Sequence, residues 1–240
     1  MNRQIFKRGA AIGAGVAVLA LMALGARAQS AEEEPIKPEQ VPVLVRAAPG
    51  VDASVRLCWF KGYLQDKDPA GTNLRAAPNA RAEVLARVPN RRDEAGIMIA
   101  PEFQVIGSKD GWFLVRNMRW EGYDLPGAPI FSGTAWVSAA LVGAVMEDID
   151  LRQRPEPKSP LVMKLRGKGP DGQEWSAGDL KVQRMHGCSG SMVDVTFELP
   201  GKKTARGWAS GACANQVTTC GGGHLLVHER KGALVPQESE

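Results

Sequence analysis

Much is missing from this chain, and each absence narrows what it can do. It has three histidines, two tyrosines and four cysteines in 240 residues. There is no Gly-x-Ser-x-Gly elbow and no His-Glu-x-x-His pair, which removes the commonest hydrolase and metalloprotease signatures. The glycine run Gly221-Gly222-Gly223 is not followed by the Lys-Ser/Thr of a phosphate-binding loop. Only one long apolar run occurs, Gly9 to Gly25. It is shorter than the roughly 20 residues that span a bilayer. Catalysis therefore has little support, and the chain reads as non-enzymatic, with no cofactor and no metal.

The apolar run sits between a basic start (Arg3, Lys7, Arg8) and Ala26-Arg27-Ala28. This order predicts a secretory signal peptide over residues 1–28, cleaved after Ala28. An uncleaved anchor is the alternative. No cysteine follows the run and no arginines adjoin each other in it, which argues against a lipoprotein or twin-arginine leader. Cleavage also removes the basic excess. Taking the four basic residues of 1–28 from the 30 in the chain leaves 26 against 26 acidic ones. Bulk charge then gives no hint of a nucleic-acid partner. No membrane attachment is expected after cleavage, and oligomeric state is left open. The implied compartment is periplasmic or secreted, in a bacterium.

In such a compartment Cys58, Cys188, Cys213 and Cys220 are disulfide candidates. Four cysteines allow three connectivities. Three of them lie in the last third of the chain, so a bridge from Cys188 to Cys213 or Cys220 is expected there, with Cys58 taking the remaining one. His186, Cys188, Cys220, His224 and His228 could alternatively form a zinc or redox set, but their spacing fits no zinc signature. Asp66-x-Asp68 and Asp148-x-Asp150 could hold calcium, yet read better as turn residues.

What is present is short alternating runs bounded by Pro, Gly, Asn and Asp: 83–88, 103–107, 112–116 and 133–137. Period two in such runs means half-buried strands joined by turns, an all-β chain. Residues 29–56 read as a Glu- and Pro-rich linker with a possible extra strand at Val41 to Val45. Arg46-Ala47-Ala48-Pro49 echoes Arg75-Ala76-Ala77-Pro78 only 29 residues later, too close for a separate unit. Leu57 to Leu64 reads as the first strand of the first unit. Two long loops follow within it, 89–101 and 117–132, the second bearing Trp120, Tyr123 and prolines.

The chain also repeats itself. Leu151-Arg152-Gln153-Arg154-Pro155 restates Leu74-Arg75-Ala76-Ala77-Pro78 at an offset of 77. At that offset Val84 meets Leu161, Val88 meets Leu165, Phe103 meets Leu180 and Val105 meets Val182. After an insertion, Leu114-Val115 is answered by Asp194-Val195, and Ala135-Trp136 by Gly207-Trp208. Several spacings kept together indicate a duplicated unit.

The opening Leu74-Arg75-Ala76-Ala77-Pro78, the turn with Gly111-Trp112 and the late Trp136-Val137 before Leu141-Val142 resemble the bacterial SH3 family. The resemblance implies two tandem SH3-like small β-barrels, 57–146 and a divergent 147–222, with a tail over 223–240. It implies a cell-envelope role, with peptidoglycan or an envelope peptide or protein as partner. An aromatic groove in the first barrel would use Trp120, Tyr123, Asp110 and Trp112. A scaffold acting only through protein contacts is the alternative function.

Overall fold

Alternation in Arg56-Leu57-Cys58-Trp59-Phe60-Lys61-Gly62-Tyr63-Leu64 makes a strand whose even-numbered members from Cys58 to Leu64 are buried. The computed structural model describes residues 37–94, 97–121, 128–165, 167–168, 174–175 and 180–214. The expected signal segment, Tyr123, Cys220 and the tail lie outside them. The regular structure of the described residues is mostly β, with one short α-helix, and all of them belong to one compact unit.

In chain order the strands are β1 (Arg56–Leu64), β2 (Thr72–Arg75), β3 (Val84–Val88), β4 (Arg92–Glu94), β5 (Ile97–Ile99), β6 (Pro101–Lys109), β7 (Trp112–Trp120), β8 (Ala128–Ser138) and β9 (Val142–Gly143). Then come β10 (Val145–Met146), β11 (Leu151–Arg152), β12 (Leu161–Met163), β13 (Gly167–Lys168), β14 (Glu174–Trp175), β15 (Lys181–Ser189), β16 (Met192–Leu199), β17 (Lys203–Ala209) and β18 (Ala212–Cys213). One sheet has the order β3-β2-β8-β7-β6-β1-β9 and another β12-β11-β17-β16-β15. The pairs β4-β5, β10-β18 and β13-β14 stand apart.

Five consecutive places in the first sheet, β3-β2-β8-β7-β6, therefore match the whole of the second. Register carries the match to single residues. Arg75 pairs with Val84 and Trp136, and Arg152 pairs with Leu161 and Trp208. The Arg75 Nη1 donates to the Ala82 carbonyl at 2.8 Å, and Arg152 Nη1 to the Ser159 carbonyl at 2.9 Å. Leu114 pairs with Trp136 as Asp194 does with Trp208. Leu74 and Leu151 are both fully buried in one core.

In one stretch the register corrects the expected repeat. Val105 pairs with Val115 as Met185 pairs with Val195, and both strands bulge before the next glycine, Gly107 or Gly187. Val105 thus answers Met185, not Val182, and Phe103 does not answer Leu180. The equivalence slips there because β15 follows a longer connection than β6 does. The bulge is common to both strands and leaves that equivalence unchanged, so the slip arises in the connection alone.

Several further expectations change. Val41 to Val45 is not a strand but lies in helix α1 (Val41–Arg46), entered through a 3₁₀ turn at Pro38–Gln40. Val41 and Val45, four apart, share its buried side. The Arg46-Ala47-Ala48-Pro49 echo is only the end of that helix. Loop 89–101 contains the β4-β5 ribbon, and 117–132 is largely the outer part of the β7-β8 hairpin.

One hydrophobic cluster runs through both sheets, from Phe60, Phe113 and Val115 to Val193, Val195 and Phe197. A second lies on the other face of the first sheet, where α1 covers Ile106, Leu114 and Trp136. The Trp136 indole N–H donates to the Pro49 carbonyl at 2.9 Å. The corresponding second-unit residues are His186, Asp194 and Trp208. Two apolar positions have become polar where no described helix packs.

The two units are also joined by covalent and polar links. Cys58 on β1 is bonded to Cys188 on β15, which replaces the expected pairing of Cys188 with Cys213 or Cys220. The reason is topological: β1 passes beside the β15-β16 turn. The Gly190 N–H donates to the Leu57 carbonyl at 2.8 Å, and the Trp59 N–H to the Gly190 carbonyl at 3.1 Å. Gly190 has φ +61°, and a Cβ there would press on the Trp59 ring. The buried Ser108 hydroxyl meets both the N–H and the carbonyl of Cys188 at 3.0 Å. Cys213 is disulfide-bonded as well.

Candidate functional site

Among the described residues a shallow, open concavity lies where the chain turns from β1 into β2. It is an open groove of about 450 Å³ lined by Asp66, Lys67, Asp68, Pro69, Pro89, Asn90 and Arg91. Its geometry starts at the end of β1. The Gln65 N–H donates to the Leu141 carbonyl at 2.9 Å, and its side chain to the Val142 carbonyl at 3.0 Å. The chain then folds on its own aspartates. Asp66 Oδ1 accepts the Asp68 N–H at 3.0 Å, and Asp68 Oδ1 accepts the Ala70 N–H at 2.8 Å. Such Asx turns are why Asp suits this stretch. Gly71 closes it at φ +90°, where a Cβ would lie 2.5 Å from the Val88 carbonyl oxygen. Only glycine fits that approach.

Below the turn, the buried Thr72 hydroxyl donates to Asp66 Oδ2 at 2.7 Å and lies 2.6 Å from Asn90 Oδ1. The Asn90 amide N–H donates in turn to the Asp68 carbonyl. This network fixes the β1-β2 turn against the segment leaving β3. The groove consequently holds two carboxylates and two cations, Lys67 and Arg91, between two proline rings. Burial pushes the nearby Tyr63 phenol up, and the Arg91 charge opposes that shift. An opening with both signs of charge and flat apolar walls suits a short zwitterionic or peptide segment. Asp66 and Asp68 could take an amino group and Arg91 a carboxylate.

The residues expected to form an aromatic groove do not gather. Asp110 and Gly111 make a tight two-residue turn with positive φ at both, closed by the Lys109–Trp112 pair. Trp112 begins β7, half-buried against the α1 cluster. Trp120 ends the same strand, and it is buried rather than lying in an open loop. A nine-residue strand separates its ends by about 26 Å. Trp112 and Trp120 therefore cannot grip one small ligand, and Tyr123 falls outside the described residues. The sequence missed the return of Pro89-Asn90-Arg91 to the Asp66 turn. The signal available was Asn90, a polar residue directly after strand β3 that ends up buried.

Asp66-x-Asp68 and Asp148-x-Asp150 are both Asx turns; the Asp150 N–H donates to Asp148 Oδ1 at 3.2 Å. No group of three metal-ligating side chains occurs among the described residues. Of the Cys/His set, Cys188 is in a disulfide, and the His186 ring meets the Thr196 hydroxyl at 2.9 Å. Cys220, His224 and His228 lie outside the described residues.

His186 sits beside Arg184, Asp194 and Arg206, with Asp194 and Arg206 paired at 2.9 and 2.7 Å. Its basicity is lowered, first by burial, then by the Arg206 charge, with Asp194 opposing and Arg184 adding. A folded-state pKa below the unfolded one means that the unfolded chain takes up a proton first as pH falls. Stability should therefore be highest above the ordinary imidazole range, near 6.5, and decline as pH drops through it. Urea denaturation of His186→Gln between pH 8 and 5 should show a flatter profile than the unaltered protein; an identical slope would refute this.

Compared with family models, curated proteins and solved structures, the chain matches none. Among the described residues no helix is long and apolar enough to cross a membrane.

Proposed function

We propose that this is an exported, non-enzymatic binding protein of the bacterial envelope, built from two SH3-like units. Its ligand is a short peptide, either the stem peptide of peptidoglycan or a segment of an envelope protein. The observation carrying this reading is the proline-walled groove with charges of both signs in the first unit. Three further features support it. The disulfide Cys58–Cys188 is compatible with an extracytoplasmic location. The leader-like start of the sequence points the same way. The five-strand order repeated in two sheets accords with a duplicated small β-module.

Binding to purified peptidoglycan tests the reading. The unaltered protein should be retained. Asp68→Asn and Arg91→Ala should each reduce retention about tenfold at low salt, the scale of losing one partner of a charge-assisted contact. Trp112→Ala should leave retention unchanged. If the unaltered protein is not retained, the wall-binding version is wrong. Retention that survives both groove substitutions would place the site elsewhere.

A further inference from the structure

Six large apolar side chains stand exposed among the described residues, and five of them lie on two strands. They are Val84 and Leu85 on β3 and Leu161, Val162 and Met163 on β12. These strands are the outer edges of the two large sheets. The register also makes them equivalent: Leu74 pairs with Ala86 as Leu151 pairs with Met163. Single exposed apolar residues are ordinary, but the same edge left apolar in both copies of a unit is not. An edge strand also presents unpaired N–H and C=O groups, a template for one more strand.

Charge around the edges selects the partner. Exposed Arg81 precedes β3 and exposed Arg87 lies within it, with Glu83 the one acid beside them. Exposed Lys158 and Lys164 flank β12 and make no ion pair among the described residues. A second copy of the chain is disfavoured by these cations. Antiparallel pairing of two β12 strands about Leu161 would set Lys158 of each copy opposite Lys164 of the other, and like charges oppose such pairing.

We propose that β3 and β12 are docking edges for an extended, acid-flanked peptide segment of a partner protein, which adds to each sheet as a further strand. Main-chain hydrogen bonds would supply the common part of the affinity, and the apolar side chains and flanking cations the selectivity. β3 runs on into the Pro89–Arg91 side of the groove, but β12 lies in the other sheet, so shifts at 161–164 let the two proposals fail independently.

The test is a titration of the ¹⁵N-labelled protein with an acetylated, amidated Glu-Val-Thr-Val-Glu peptide. Its Lys-Val-Thr-Val-Lys analogue and a version N-methylated at alternate amides serve as controls. The acidic peptide should shift amides of 84–88 and 161–164. The lysine-flanked peptide should bind about tenfold more weakly at low salt, and the N-methylated one not detectably. The double variant Leu85→Lys, Val162→Lys should lose the response, and both sites are exposed, so the fold is kept. Absence of shifts at these strands would overturn the proposal, as would equal binding of both charge types. Shifts confined to the groove would also overturn it while favouring the groove reading. Shifts that grow with protein concentration alone would assign the edges to a second copy and overturn it too.

Discussion

Replacing Cys58 and Cys188 by alanine should lower the unfolding free energy by about 2–5 kcal/mol. The two residues are 130 apart in sequence. A crosslink closing so long a loop restrains the unfolded chain by up to about 5 kcal/mol on the chain-entropy account. Whole-domain stabilities are about 5–15 kcal/mol, so the bond is a large share of the total. Loss should not be confined to one unit, because the bond ties β1 of the first sheet to β15 of the second. Urea denaturation of the double variant measures the effect. A change below about 1 kcal/mol would contradict it, as would a non-reducing digest that links Cys188 to Cys213 or Cys220.

The second large effect concerns two equivalent tryptophans in unlike surroundings. Trp136 is fully buried under α1, with Ile106 and Leu114 beside it and its N–H given to the Pro49 carbonyl. Trp136→Ala should cost about 3–5 kcal/mol, the range for removing a buried aromatic from a core. It should also free α1, since the ring is part of what that helix packs on. Trp208 occupies the same register position but is half-buried, with the Arg56 guanidinium 5.7 Å from its ring centre. Such a contact is worth about 0.5–1 kcal/mol at an exposed site. Trp208→Ala should therefore cost about 1 kcal/mol. Equal losses for the two variants would mean that the two outer faces are not dressed differently.

The contrast shows what the sequence made legible. Period-two runs between turn residues identify strands of the first unit, and the repeat carries that reading to the second; the burial of β3, β6 and β12 does not itself alternate. The Leu-Arg opening and the Trp-bearing strand mark the duplication, because each arginine must reach back to its own turn carbonyl. Other features depended on contacts that periodicity does not encode. Val41-Pro42-Val43-Leu44-Val45 is too short to separate strand from helix, and its packing on Trp136 decides the matter. Trp120 looked free because its strand extends beyond the expected end. The cysteine pairing followed spatial, not sequential, proximity. The groove was half visible: the Asp66 turn could be read, but not the Asn90 that braces it.

The central claim is that two copies of one five-strand unit share a single core and are tied by the Cys58–Cys188 bond. Hydrogen exchange along a urea series tests it strand by strand. The account predicts that amides in β6–β8 and in β15–β17 lose protection together, at one midpoint. Loss of protection in β15–β17 at clearly lower urea, with β6–β8 still intact, would contradict it.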